Sequence, residues 1–122
     1  MKDYSEMSDI HINAAVSRTL YGNLSRGHEL QLASGDVDYC NNATDAWPII
    51  VENKISISHE IARYCASLLS YDKRHFENET DGFKIFRFTG EMGDISSRAA
   101  LRAAMIVFLM MKDGEADNGK AA

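Results

Sequence analysis

Nine consecutive residues, Ala103-Ala104-Met105-Ile106-Val107-Phe108-Leu109-Met110-Met111, form the longest unbroken apolar run in the chain. A membrane-spanning helix needs about 20 apolar residues, so this run is too short to cross a bilayer. In a domain surrounded by water it reads as a helix buried over most of its circumference. The remaining elements must then wrap it on more than one side. That requirement constrains the architecture and carries no chemistry.

The 122-residue length suits one domain, placed at 1–114, with the small polar segment 115–122 expected as a disordered tail. The net charge of −5 argues against a dedicated nucleic-acid binder, which needs a basic stripe to displace counterions. Cys40 and Cys65 form no C-x-x-C pair and read as reduced, buried thiols. The N-terminal stretch Met1-Lys2-Asp3-Tyr4-Ser5-Glu6 lacks the apolar core of a signal peptide, which points to the cytoplasm.

Along the chain, Ser8 is placed to cap a helix reaching Tyr21, with Ile12, Val16 and Leu20 on one face and Gly22 as its stop. His28 to Ala33 alternates, with Leu30 and Leu32 inward, and is predicted as a short strand. Val37 and Tyr39 extend the chain again. Asn42 or Thr44 caps a second helix that tolerates Pro48 early, with Asn53 as its left-handed stop. Ile55-Ser56-Ile57-Ser58 is a strand. The stretch from Ile61 to Leu69 fits a helix face and a strand face equally well. Tyr71 to Gly82 reads as a loop, Phe83 to Phe88 as an aromatic strand, and Gly90 to Asp94 as a connection. Ser96 or Ser97 caps the last helix, which Gly114 ends.

Several of these residues carry a resemblance. Asp45-Ala46-Trp47-Pro48-Ile49-Ile50-Val51-Glu52-Asn53, followed by Ile55-Ser56-Ile57-Ser58, resembles the signature of the phage NinX family. So does Leu101-Arg102-Ala103-Ala104-Met105-Ile106-Val107-Phe108-Leu109-Met110-Met111, and Asp3-Tyr4-Ser5, Ser8-Asp9, Ile12-Asn13 and Tyr39-Cys40-Asn41-Asn42 are similar too. The resemblance implies an accessory protein of lambdoid-type phages and prophages, acting in the host cytoplasm. It also implies an extended segment between the I-S-I-S strand and the last helix, which turns 62–69 towards a strand paired with Phe83 to Phe88. The chain departs from the family pattern in a longer loop at 71–82 and in Ala99-Ala100, which replace an Asn-Pro pair. The fold expected is α+β: a small, mostly antiparallel sheet packed with about three helices, the C-terminal helix central. Its order is helix, strand, helix, three strands, helix.

Four residues stand out as candidates for interaction. Trp47, beside Asp45 and Pro48, either staples its helix to the core, which is the expectation, or stands exposed as a partner anchor. Arg98 and Arg102 lie one turn apart at the start of the last helix, where cations oppose the helix dipole. Pairing with Asp94 or Glu91, or solvation by water, is expected to compensate, and an anion site on the helix N–H groups is the alternative. His11, His28, His59 and His75 show no metal-ligand spacing, and no cofactor motif is present. Cys65 and His59 are the only neighbouring nucleophile and base, and on a single strand they stand roughly 20 Å apart. Met105, Met110 and Met111 read as core, or as a dimer face if part of that stripe is exposed.

These readings point to a non-enzymatic protein that binds a host or phage protein, with a homodimer dependent on the Met stripe. The alternative is a nucleic-acid-associated factor stacking bases on Phe86, Arg87 and Phe88, with local charge from Lys73, Arg74 and His75.

Overall fold

The structure, a computed structural model, describes residues 3–60, 63–71, 83–90 and 96–121. A 3-10 turn at Tyr4–Glu6 leads into α1 (Asp9–Tyr21), α2 (Arg26–Ser34) and α3 (Ala43–Glu52). Three strands follow, β1 (Ser56–Glu60), β2 (Arg63–Tyr71) and β3 (Phe83–Thr89), and then α4 (Ser97–Ala121). The fold is α+β, with an antiparallel sheet in the order β1-β2-β3.

α4 is the middle of the molecule. Residues 103–109 are each 3% exposed or less, so this helix is covered around its whole circumference. β2 and β3 pack against it, as do α1 and α3, while sheet and helices make little contact with each other. The order is therefore sheet, α4, then the other helices. The Met stripe is covered within one chain: Met105 and Met111 are buried and Met110 is half-buried.

Register explains the sheet's two faces. Ile57 pairs with Ala66 and Ala66 with Phe88, and residues paired across strands share a face. Ala66 and Phe86 belong to the core with α4. The opposite face carries Ser56, Ser58, Ser67 and Arg87. Cys65 also falls on that face, buried beside Thr89, whose hydroxyl donates to Sγ over 3.8 Å.

Caps fall where short polar side chains stand before each helix. Ser8 accepts from the His11 amide, Ser25 from His28 and Asn42 from Thr44. Ser96 accepts from the Ala99 amide at the start of α4.

Several expectations are corrected. Residues 28–33 form most of helix α2, not a strand. Ser25 caps this helix and Gly35 closes it at φ 86°, and its single inward leucine is Leu32, with Leu30 61% exposed. A two-leucine alternation in good helix formers was too short to specify a strand. Tyr39 belongs to a turn closed by Asn42 N–H donating to Asp38 O at 2.9 Å, and Val37 sits in the preceding bend, its N–H donating to Gln31 O at 3.2 Å, so neither extends the chain. α3 ends without a left-handed Asn53, which has φ −94°; Lys54 takes the positive φ of 57° instead. α4 does not end at Gly114, which is buried within it, but runs on to Ala121. The strand alternative for 62–69 holds over Arg63–Tyr71, and Tyr71 is in β2 rather than a loop. The readings at 72–82 and 91–95 lie outside the described residues.

Truncating Phe108 to Ala removes the largest fully buried side chain from the middle layer. The expected loss is about 3–5 kcal/mol, read as a lower urea midpoint at unchanged m-value.

Buried Cys40 supplies a second prediction. Loss of water, followed by the charge of Asp9, pushes its thiol up from 9.0 to about 12. Between those values the unfolded chain has lost the thiol proton while the fold retains it. Stability is therefore intact below pH 9 and falls above it, by up to about 1.4 kcal/mol per pH unit. Urea unfolding at pH 8 and pH 10.5 should show this slope, and Cys40→Ala should flatten it.

Candidate functional site

Two places gather the candidate residues. The first is the start of α4. Arg102 reaches the N-terminal segment, and its Nη2 donates to the carbonyls of Tyr4, Ser5 and Met7 at 3.4, 3.1 and 2.9 Å. Its Nη1 stands 3.7 Å from Asp9, and Arg98 is also 3.7 Å from that carboxylate. Asp9 thus compensates both cations, whereas Asp94 and Glu91, the expected partners, lie outside the described residues. Asp9 is well placed for this because it opens α1, where the helix dipole favours an anion. The cleft of about 350 Å³ between Asp9, Ser96, Arg98 and Arg102 holds a carboxylate already, and Arg102 is committed to backbone carbonyls. The arrangement pins the N-terminus to α4. Tyr4 completes the pin at the far end, its hydroxyl donating to Asp113.

The second place is α3. Ala46, Ile49 and Ile50 face the core, but Trp47 is 61% exposed and Val51 53% exposed. The expectation that Trp47 staples α3 to the core is therefore overturned. Helical spacing puts Trp47 and Val51 one turn apart on the outer side, with Pro48 exposed beside them. On its other flank α3 borders a cleft of about 500 Å³ that it shares with α1 and α2.

That cleft is built from residues far apart in sequence. Tyr21 ends α1 and meets the His28 ring with centroids 5.3 Å apart. Ser17, fully buried, donates to the Tyr39 hydroxyl oxygen at 3.2 Å, which leaves His28 Nε2 to donate to Ser17 at 3.1 Å. This chain of contacts fixes the rings and leaves the Ser17 oxygen shut off from the cleft. Burial, with lesser help from Tyr21 and Asp45, holds the Tyr39 hydroxyl above its ordinary pKa. Asp45 accepts from the Asp38 amide at 2.9 Å. Asn13, itself buried, donates to Asp38 at 2.8 Å and accepts from the Cys40 amide at 3.1 Å, which locks the 38–41 turn to α1.

Other candidates separate. Phe86 is buried against α4 and Phe88 half-buried on the same face, while Arg87 points to the opposite side. They do not form a stacking platform. Lys73, Arg74 and His75 lie outside the described residues. The β1–β2 hairpin puts His59 and Cys65 at neighbouring register positions, opposite Tyr64 and Ser58, so the single-strand separation does not apply. Among the described residues no group of three or more His, Cys, Asp or Glu is arranged to hold a metal ion. Likewise, no helix among them is long and apolar enough to cross a membrane.

Fold and site together define a small α+β domain organised on an enclosed apolar helix, with an exposed aromatic ridge on a flanking one. The chain belongs to the family described as Bacteriophage P22, NinX, whose model matches residues 3–112. It is a phage accessory protein by that membership. No curated protein and no solved structure matches it.

The cleft residues escaped the sequence reading because no local pattern joins positions 21, 28, 39 and 52. The misassigned α2 also hid His28 from its partners.

If Arg102 pins the N-terminus, Arg102→Ala and deletion of residues 1–7 act on one interaction. Arg102→Ala should cost about 1.5–3 kcal/mol in chemical denaturation and the deletion more, since it also removes buried Tyr4, while the combined variant should cost little more than the deletion alone.

Proposed function

We propose that this phage accessory protein is a non-enzymatic interaction module that binds a host or phage protein in the host cytoplasm. The observation that carries the reading is the outward face of α3. A tryptophan supplies its largest energetic return when buried, yet Trp47 stands mostly in water beside Val51 and Pro48. Tryptophan anchors are enriched among residues that dominate binding energy. The buried, hydrogen-bonded state of Ser17 supports a non-catalytic reading of its contact with His28. The inward placement of Phe86 speaks against base stacking as the mode of action.

Trp47→Ala should leave the folded domain within about 0.5 kcal/mol of its original stability, since the side chain packs little. The same change should weaken partner binding by about 2 kcal/mol, or roughly thirtyfold. The measurement is co-purification from phage-infected cells, followed by titration of the purified partner against both forms. Equal affinity of the two forms would remove α3 from the interface. Salt-sensitive binding to single-stranded DNA or RNA would replace a protein partner with a nucleic acid.

A further inference from the structure

We infer that the cleft between α1, α2 and α3 takes a cationic side chain, an arginine or lysine presented by the partner protein. This assignment rests on the reading of α3 as the docking face and names the chemistry that the face selects.

The cleft is about 500 Å³, within the range that accommodates small ligands. It has room for a long side chain together with the backbone that carries it. Tyr21, His28 and Tyr39 contribute rings, Asp45 and Glu52 contribute carboxylates, and no Lys or Arg among the described residues lines it. Neither Asp45 nor Glu52 has a cationic partner among the described residues. Two helices also end here. α1 stops at Tyr21 and α3 at Glu52, and the carbonyl end of a helix carries partial negative charge. The first turns of α2 and α3 also border the cleft, through His28 and through Thr44 and Asp45, so the helix ends contribute both signs; the carboxylates and aromatic faces are what favour a cation.

The position of Glu52 is informative. An acidic residue in the last turn of a helix opposes the dipole, and α3 has no basic residue there to offset it. Such a residue costs the free protein stability and strengthens the negative field at the cleft mouth. Trp47, Val51 and Pro48 lie along the neighbouring strip of the same helix. A partner seated on that apolar strip brings its adjacent side chains over the cleft, where a basic one finds complementary charge.

The test uses a blocked glycine-arginine-glycine peptide and its citrulline isostere, which has the same shape without the charge. Both are titrated into the full chain by NMR. The arginine peptide should shift signals of Tyr21, His28, Tyr39 and Thr44 saturably, with the citrulline peptide at least tenfold weaker. Asp45 also holds the Asp38 amide, so the diagnostic variant is Glu52→Gln on the exposed rim. It should weaken the arginine peptide about three- to tenfold at low salt, with the gap closing at 1 M salt. Its melting temperature should be unchanged or higher, an effect that a purely structural Glu52 would not give.

Equal shifts from both peptides, shifts centred elsewhere, or no shifts would overturn the assignment. So would self-association weakened by Glu52→Gln, which would put a second copy in the cleft. If the arginine peptide fails while Trp47→Ala still abolishes partner capture, the cleft assignment falls and the docking face stands. If the peptide binds and Trp47→Ala has no effect on the partner, the docking face falls instead.

Discussion

An α-helix buried on every side sets the terms for everything around it. Residues 103–109 of α4 have no surface to give to water, so each side of the helix needs a covering element. The chain provides two kinds. On one side is a sheet whose inner face places Ala66, a small residue that allows close approach, opposite Phe88. On the other are α1, which contributes Ile12 and Val16, and α3, which contributes Ala46, Ile49 and Ile50. Both covers are single layers, so each has an outer surface left over, and the two surfaces are furnished very differently. The sheet shows serines and an arginine, while α3 shows Trp47, Pro48 and Val51.

Polar groups hold the ends of this arrangement in place. Arg102 donates to the carbonyls of Ser5 and Met7 and shares the Tyr4 carbonyl with the Met7 N–H, and Asp9 neutralises the two cations at the positive end of α4. The Nη1 of Arg102 is buried without a hydrogen bond and depends on that ion pair. Asn13 acts similarly inside the helical layer, where its amide meets a carboxylate on one side and a backbone N–H on the other. Each contact joins the first 13 residues to segments far along the chain. They act as registration points for a core whose apolar contacts are not directional.

Legibility in the sequence tracked how local the determining physics was. The long apolar run, the cap serines at 8 and 96, Asn42 and the Ile55 to Ser58 alternation each report on a few neighbouring residues, and each was readable. Periodicity leaves the 61–69 stretch undecided and resemblance turns it towards a strand; residues 63–69 are strand because pairing with β1 and β3 fixes them. α2 was lost because nine residues with one buried leucine give little periodic signal. Gly114 looked like a stop, yet glycine's cost inside a helix, about 1 kcal/mol relative to Ala, is small beside the packing of a buried segment. The α3 cleft was unreadable for a different reason. It exists only once three helices have docked.

α3 departs most clearly from what a surface helix should look like. Such a helix normally reserves one stripe for the core and dresses the rest with polar residues. In α3, Ala46, Ile49 and Ile50 occupy the core stripe, and Trp47, Pro48 and Val51 extend apolar character round the exposed side. Nothing in the packing of the described residues requires that second stripe, and solubility would favour its removal. Local rules are broken in native chains mainly where function is gained. The acidic last turn of α3 violates a second rule, the charge preference of a helix end, within one turn of the first. The proposed partner, covering the apolar strip and bringing positive charge to the acidic one, would account for both violations on adjacent strips of one helix.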